Sequence, residues 1–349
     1  LTNMKKHLVP IFILAVCLGS CVTHADDAYT NRFTISARIG FNISARFGAI
    51  RGLSAPSGTA RTTPNGDTYN YDNGYVLTDV SGNFGNQTWY WGYDDSSRQL
   101  SGNSIMMNRT TFSGASSPLN ADDNGSPGFE IAFNRPLGSI GRLLYGFEIA
   151  GNYMALSIHN TSAIGAPVHR VTDTYDYTPG TTPPAATPSG PYQGTLDGPG
   201  FVISGTPSSS SSSDVMGLAT IVGSRSLDAN VWGARVGPNL ELPLGNHFTV
   251  AASGGFACAL VDADVSWSEA VQMGGARGAA LSGHGSASGF QAGFYLAALA
   301  SYQISDRWDI VGGAQYQFLN DFDHSIGGRD IELDFSKSLM VTLGVGFKF

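Results

Sequence analysis

"LMVTLGVGFKF" occupies residues 339–349. Its odd positions are Leu339, Val341, Leu343, Val345, Phe347 and Phe349; its even positions are Met340, Thr342, Gly344, Gly346 and Lys348. A period of two places these sets on opposite faces of one strand, one face apolar and the other mixed. The same pattern recurs upstream. Between Phe33 and Phe47 the odd positions are all apolar, while the even ones are Thr, Ser, Arg, Gly, Asn, Ser and Arg. Segments 143–153, 232–242, 248–260, 290–304 and 308–318 alternate likewise; Phe129, Ile131 and Phe133 make a shorter run. The last segment begins at Ile331 and alternates, apart from Lys337, to Phe349. Eight segments result. Most exceed the ~5–6 residues of an average soluble strand and approach the ~9–11 that cross a bilayer at a tilt.

Composition agrees. Charged residues make up 13% of the chain, and there are 45 glycines. Soluble domains carry roughly a quarter charged residues. Mean hydropathy is nevertheless only -0.03, and beyond the N-terminal region no apolar run nears the ~18 residues of a membrane helix. Low charge, abundant Gly and aromatics, and no hydrophobic block point to strands in lipid. The net charge of -8 disfavours a nucleic-acid partner.

The N-terminal residues read as an export signal, with Met4 as the start and Leu1–Asn3 upstream of it. Lys5 and Lys6 precede an apolar stretch from Leu8 to Leu18, and Thr23-His24-Ala25 supplies small residues before Asp26. Eleven apolar residues are too few to span a bilayer, and the order of charge, apolar run and small residues is that of a cleaved signal, residues 1–25. Leu18-Gly19-Ser20-Cys21 resembles a lipobox, which makes acylation of Cys21 the competing outcome. Either cut leaves Cys258 as the one thiol free to pair, so no intramolecular disulfide is expected.

Short links, Arg135–Ser139, Pro243–His247 and Ser305–Arg307, alternate with longer ones at 48–127, 159–226, 268–286 and 319–330. Tight turns on one side and large loops on the other are the pattern of a membrane-spanning barrel. The loop 159–226, with its Pro, Thr, Gly and the run Ser208–Ser213, reads as a solvated linker. Strand number must be even if both ends lie on the same side. Eight strands are expected. Ten or more follow if Gln87–Tyr93 and Ser104–Phe112 join the wall; otherwise they form a hairpin within the first loop.

With its export signal, its eight alternating segments and its terminal Phe349, the chain from residue 26 to 349 resembles the outer-membrane β-barrel proteins of Gram-negative bacteria. The fold class implied is all-β: a closed antiparallel transmembrane barrel with short periplasmic turns and long extracellular loops. The resemblance implies partners as well, namely outer-membrane lipid, lipopolysaccharide and the barrel-assembly machinery. That machinery recognises a last strand such as Val341, Leu343, Val345, Phe347 and Phe349. Residues 71–95, "YDNGYVLTDVSGNFGNQTWYWGYDD", are similar to a segment of uncharacterised bacterial barrels and imply no activity.

By pleat, Arg38, Arg46, Glu130, Glu148, Asn152, Arg235, Asn239, Glu241, Gln315 and Gln317 face the lumen. An eight-stranded bore is just wide enough for side chains to fill. Opposite charges there are expected to pair, since unpaired buried charge is costly. The reading preferred over a selectivity constriction is therefore a polar core. Lys337 and Trp308 are expected at the membrane interfaces. Asp321, Asp323 and His324 in one loop, and His284 and Ser286 in another, show no spacing that enforces a triad. The histidines lack ligand spacing, and Asp262 with Asp264 offers too few carboxylates for Ca²⁺. No cofactor and no metal site is expected. The leading function is a non-enzymatic envelope component presenting surface loops. A passive diffusion channel for small solutes is the alternative, and an outer-membrane enzyme is a distant third.

Overall fold

A computed structural model describes residues 30–349 except 49, 51, 55, 57–60, 63–65, 79–84, 113–117, 187–190, 274–275 and 327–328. The export signal and Cys21 lie outside the described residues. Eight strands follow one another in a ring: β1 (Arg32–Phe41), β10 (Ser126–Ile140), β11 (Leu143–Asn160), β15 (Ser209–Pro243), β16 (Phe248–Met273), β18 (Leu281–Gln303), β19 (Trp308–Leu319) and β22 (Ser338–Lys348). Each pairs antiparallel with the next, and β22 pairs with β1. A walk from Phe290 passes through Leu260, Trp232, Tyr153, Phe129, Ala37, Leu343 and Gly312, and returns to β18 at Ala300, ten residues along. For eight strands that stagger corresponds to a tilt of about 40° and a backbone radius of about 8 Å.

On the ring the period-two pattern sorts cleanly. In β1, Arg32, Thr34, Ser36 and Arg38 are buried while Phe33, Ile35, Ile39 and Phe41 are exposed on the outside. The outer face of β11, β15, β16 and β18 is apolar up to Tyr153, Trp232, Leu260 and Phe290, which are cross-strand neighbours. Directly beyond them stand Ala155, Asn230, Asp262 and Ser288. The outer surface thus turns polar at one level on β15, β16 and β18, and one outward position later, at Ser157, on β11.

Four neighbouring strands break at a common level. β1 stops at Asn42, whose φ is 57°. β10 begins after Gly125, at φ 113°; β19 ends before Asn320, and β22 begins after Ser336-Lys337. Beyond the breaks the chain continues as a separate sheet of β20 (Phe322–Ile326), β21 (Arg329–Asp334), β2 (Ser44–Phe47) and β9 (Leu119–Asp122), paired in that order. A left-handed residue advances the pleat by one position, so the buried set changes face. Ile43, Ala45 and Phe47 are therefore buried, as are Ile331, Leu333 and Phe335. This four-stranded flap lays its apolar side on Leu227, Val231, Val261 and Val265 of the longer strands.

Three expectations need correction on this account. Arg46 does not face the lumen; its side chain is 53% exposed and pairs with Glu332 at 3.2 Å. The outward series of the last segment starts at Leu339 rather than Ile331, and Lys337 sits exposed in the turn before β22. The first turn is not Arg135–Ser139. β10 runs through a bulge at Pro136/Gly138 to Ile140, and the turn is Gly141-Arg142.

The remaining strands build a lobe beside the flap. β12 (Ile164–Asp176) pairs with the far end of β15 and with β8 (Ser104–Phe112), which carries β7 (Leu100–Ser101). A small sheet combines β3 (Thr68–Tyr71), β4 (Gly74–Leu77), β6 (Trp91–Tyr93) and β13 (Tyr192–Gln193); β5 (Gln87–Thr88) pairs with β14 (Ile203–Ser204), and α1 (Ser96–Gln99) is one helical turn. β17 (Ala276–Arg277) pairs back onto the end of β16 and is followed by β18. Gln87–Tyr93 and Ser104–Phe112 stay outside the ring and form no hairpin with each other. The segment 159–226 is likewise no linker: Ser209–Ser213 pairs with Arg170–Thr174 as regular strand. Composition misled there because backbone pairing and a borrowed core, not serine itself, order this segment.

Candidate functional site

The ring interior collects the charged residues. Glu130 on β10 and Arg38 on β1 meet at 3.0 Å. Arg235 on β15 grips Glu130 through Nη2 (2.8 Å) and Nε (3.3 Å), and also donates to Glu148 on β11. Glu148 accepts further hydrogen bonds from Asn134 Nδ2 (2.7 Å) and Ser253 Oγ (3.1 Å). The Arg235 guanidinium lies 4.8 Å from the ring centre of Tyr295. Nearer the ring's other end, Arg32 binds Glu241 at 2.7 Å, Asn239 donates to Glu241 at 3.2 Å, and Lys348 meets Asp309 at 2.9 Å. Gln315 donates to Gln317 at 3.3 Å, and Asn152 shares the inward face of β11. Nine of the ten residues assigned to the lumen by pleat lie on that face; Arg46 does not. Arg32, Asn134, Ser253, Asp309 and Lys348 were not singled out. All five lie on the inward parity of their strands; Arg32 and Asn134 stand one residue outside the alternating segments, and the other three stand within them.

Four cations and four carboxylates pair within this network. Charges held at such spacing in a bore of this radius neutralise one another rather than present one sign to a solute. Directly above, Met154 and Met340 close over Gly40: a Cβ there would stand 2.6 Å and 3.1 Å from their sulfurs. Beyond the methionines comes an apolar layer, filled by the flap and the inner faces of β11, β15 and β16 as far as Leu227 and Val265.

The lobe has its own core of Val76, Trp91, Tyr93, Ile105, Met107 and Tyr175. Its polar tips are satisfied locally. Trp91 Nε1 donates to Phe201 O at 2.7 Å, Tyr93 OH to Pro184 O at 2.7 Å and Tyr75 OH to Gly194 O at 2.9 Å. Tyr71 OH lies 2.7 Å from Asp173 Oδ2 and 2.6 Å from the Tyr175 hydroxyl, and Ser210 Oγ donates to the other Asp173 oxygen at 2.6 Å. Burial, reinforced by the hydrogen bonds to Tyr175 and Asp173, pushes the Tyr71 hydroxyl far above the ordinary phenol range; burial pushes Tyr175 the same way. A phenol held neutral by the fold favours the folded state fully below pH ~10, the unfolded value, and loses that contribution as pH rises beyond it. The lobe should therefore open above pH ~10. Tyrosinate absorbance is expected to show a late, cooperative component that is smaller and begins at lower pH in Tyr71→Phe; a titration identical in the two proteins would contradict this account.

The other candidates do not converge. His324 packs at a tilt on Phe322, with ring centres 4.5 Å apart, while Asp323 is exposed. Burial and the neighbouring Asp334 and Glu332 carboxylates raise the pKa of Asp321, and Ser336 holds that of Asp334 down. His284 and Ser286 lie exposed on β18, and Asp262 and Asp264 on the outer face of β16. Trp308 is exposed at the start of β19 and packs on Phe347 at 5.0 Å. Phe349 stacks on Phe347 at 6.1 Å and exchanges backbone bonds with Asn31.

An antiparallel ring of strands, apolar outside and charged inside, is the architecture of Gram-negative outer-membrane β-barrel proteins. No family model and no curated protein matches the sequence. Among solved structures the chain is similar to the outer membrane protease OmpT from Escherichia coli, with TM-score 0.36, 9% identity, and 92% of this chain and 98% of that one covered. It is similar to Ail, the attachment invasion locus protein of Yersinia pestis, with TM-score 0.26, 9% identity and coverage of 91% and 99%. The P. putida toluene transporter TodX follows with TM-score 0.19, 8% identity and coverage of 93% and 91%. Similarity this distant transfers no residue's role.

Proposed function

We propose that the ring is a closed, eight-stranded transmembrane barrel of a bacterial outer membrane, sealed inside, and that the protein is a non-enzymatic envelope component presenting the flap and lobe at the cell surface. The observation that carries this reading is the bore itself. A self-neutralising ionic layer is followed by two methionines and then by an apolar core, which leaves little room for a water-filled path. The tilt of about 40° falls within the range of membrane barrels. The outer apolar rows of β15, from Trp232 to Leu242, rise about 25 Å at that tilt, as the hydrocarbon of an outer membrane requires. In this reading Trp308 marks the periplasmic interface, Lys337 lies at the level of the strand breaks on the surface side, and Val341–Phe349 serve as the assembly signal. The lipid contact is with lipopolysaccharide outside. Sealed barrels are suited to display rather than transport, and the lobe's buried aromatics make it a rigid body to display.

Planar-bilayer recording of the refolded protein tests the proposal against a passive channel. The expected record is a flat baseline at moderate voltage. Regular unitary steps that persist after Met154→Trp, which adds bulk to the methionine layer, would overturn the sealed-bore reading.

A further inference from the structure

A second buried ionic cluster lies at the seam between flap and ring, apart from the network in the bore. Arg225 on β15 and Trp267 on β16 are direct cross-strand neighbours, both facing inward. Glu269, two residues beyond Trp267, accepts from Arg225 Nε at 2.6 Å and from Arg329 Nη2 of β21 at 2.8 Å. One carboxylate thus serves guanidiniums from two different sheets. The Arg329 guanidinium also lies 5.4 Å from the ring centre of Trp267. Arg225 turns Nη1 to Ser162 O at 3.2 Å. Its side chain is 1% exposed, yet among the described residues Nη2 meets no acceptor, and neither does the buried Trp267 Nε1.

We propose that this cluster is a binding site for a small oxyanion, a phosphate or carboxylate group. Buried donors without acceptors cost roughly 1–3 kcal/mol each, and more when charged. Two of them on cross-strand neighbours, in a cluster that already holds two guanidiniums, are complementary to an acceptor that carries negative charge and several lone pairs. A guanidinium edge and an indole N–H supply donors only, so a cation is excluded by chemistry. Charge-assisted hydrogen bonds from arginine to an oxyanion are short and strong, and the fork geometry suits a group with two or more oxygens. Glu269 already occupies Arg225 Nε and holds the guanidinium in plane, leaving Nη2 for the ligand. Because Arg329 belongs to the flap while Arg225 and Trp267 belong to the ring, an anion seated here ties the two together. The competing occupant is an ordered water, which satisfies buried donors without carrying charge.

Thermal unfolding of the refolded full-length protein in detergent separates the two. Sodium phosphate is titrated against sodium chloride at equal ionic strength, with acetate as a second oxyanion. The expected result is a saturable rise in Tm with phosphate and with acetate that chloride does not reproduce. Trp267→Phe keeps the ring and removes only the N–H. It should weaken phosphate binding about tenfold or more, the loss of one hydrogen bond to a charged group. Arg225→Gln should abolish the effect. If Arg225→Gln fails to fold, Trp267→Phe still decides the matter. Phosphate-free lipopolysaccharide micelles and phosphorylated ones, compared in the same assay, distinguish a free anion from a lipid-borne phosphate. A Tm that follows ionic strength alone, or an equal phosphate effect in Trp267→Phe, would overturn the assignment and leave water as the occupant.

Discussion

Replacing Arg235 by Met should cost about 3–5 kcal/mol of stability, among the largest losses available to one substitution in this chain. Arg235 is the only residue that touches both Glu130 and Glu148 among the described ion pairs. Met matches its apolar stem but leaves two buried carboxylates without their shared counter-charge. Arg38 would still partner Glu130, and Asn134 and Ser253 would still donate to Glu148. Glu148 would then hold a charge supported by neutral donors alone. The loss should show as a lower urea midpoint for the refolded protein in micelles. The companion variant Arg235→Met/Glu148→Gln separates pairing from packing and leaves the Arg38–Glu130 pair in place. Neutralising Glu148 takes away the charge that Arg235→Met leaves without a cation, so most of the loss should be recovered, because an ion pair and its neutral replacement are often near break-even inside a protein. If the double variant is as unstable as Arg235→Met, the guanidinium matters for its packing against Tyr295 and not for its charge.

Arginine in place of Leu296 should be almost as damaging in a bilayer. Leu296 is 63% exposed on the outer face of β18, midway between Phe290 and Tyr302. If the proposed membrane placement holds, it sits near the bilayer midplane, where an arginine costs about 2–4 kcal/mol. Ser288→Arg, on the same face but beyond the Phe290 level, should cost ~0–1 kcal/mol. Folding titrations into lipid vesicles measure both. Equal effects at the two positions would remove the membrane placement while leaving the ring intact. The test is sharp because both substitutions add the same side chain to the same strand, and only depth differs.

These two expectations rest on different levels of information. Which residues face outward along β1, β11, β15, β16 and β18 was legible from alternation alone, because side chains in a strand must point to opposite faces. The composition was equally direct: little charge, no helical span and many aromatics leave few alternatives to strands in lipid. Nine of the ten proposed lumen residues could be listed in advance for the same reason. Alternation cannot report a change of phase, however. From Phe33 to Phe47, and from Ile331 to Phe349 with Lys337 the one exception, the pattern continues, yet Asn42 and the Ser336-Lys337 turn flip the buried face. The apolar residues beyond those points seek the flap's core instead of lipid, and the letters are the same for both. Arg46 was misplaced on that account.

The lobe was least legible. Its order depends on Trp91, Tyr175 and Ile203, which are far apart in the chain and meet only when three excursions from the ring fold together. A serine run such as Ser209–Ser213 has no core of its own to announce. It becomes strand because Arg170–Thr174 lies alongside and because β15 is already aligned by its pairing within the ring. Partner choice in the bore was likewise tertiary. The residue types required ion pairs, but that Arg235 bridges two carboxylates from β10 and β11 follows from strand register, which sets Arg235 opposite Ala150 and Ala150 opposite Ala132, each two residues from a glutamate. Local alternation was sufficient for the strands and their faces; phase, pairing and the ordered lobe were decided by contacts between segments that no local pattern encodes.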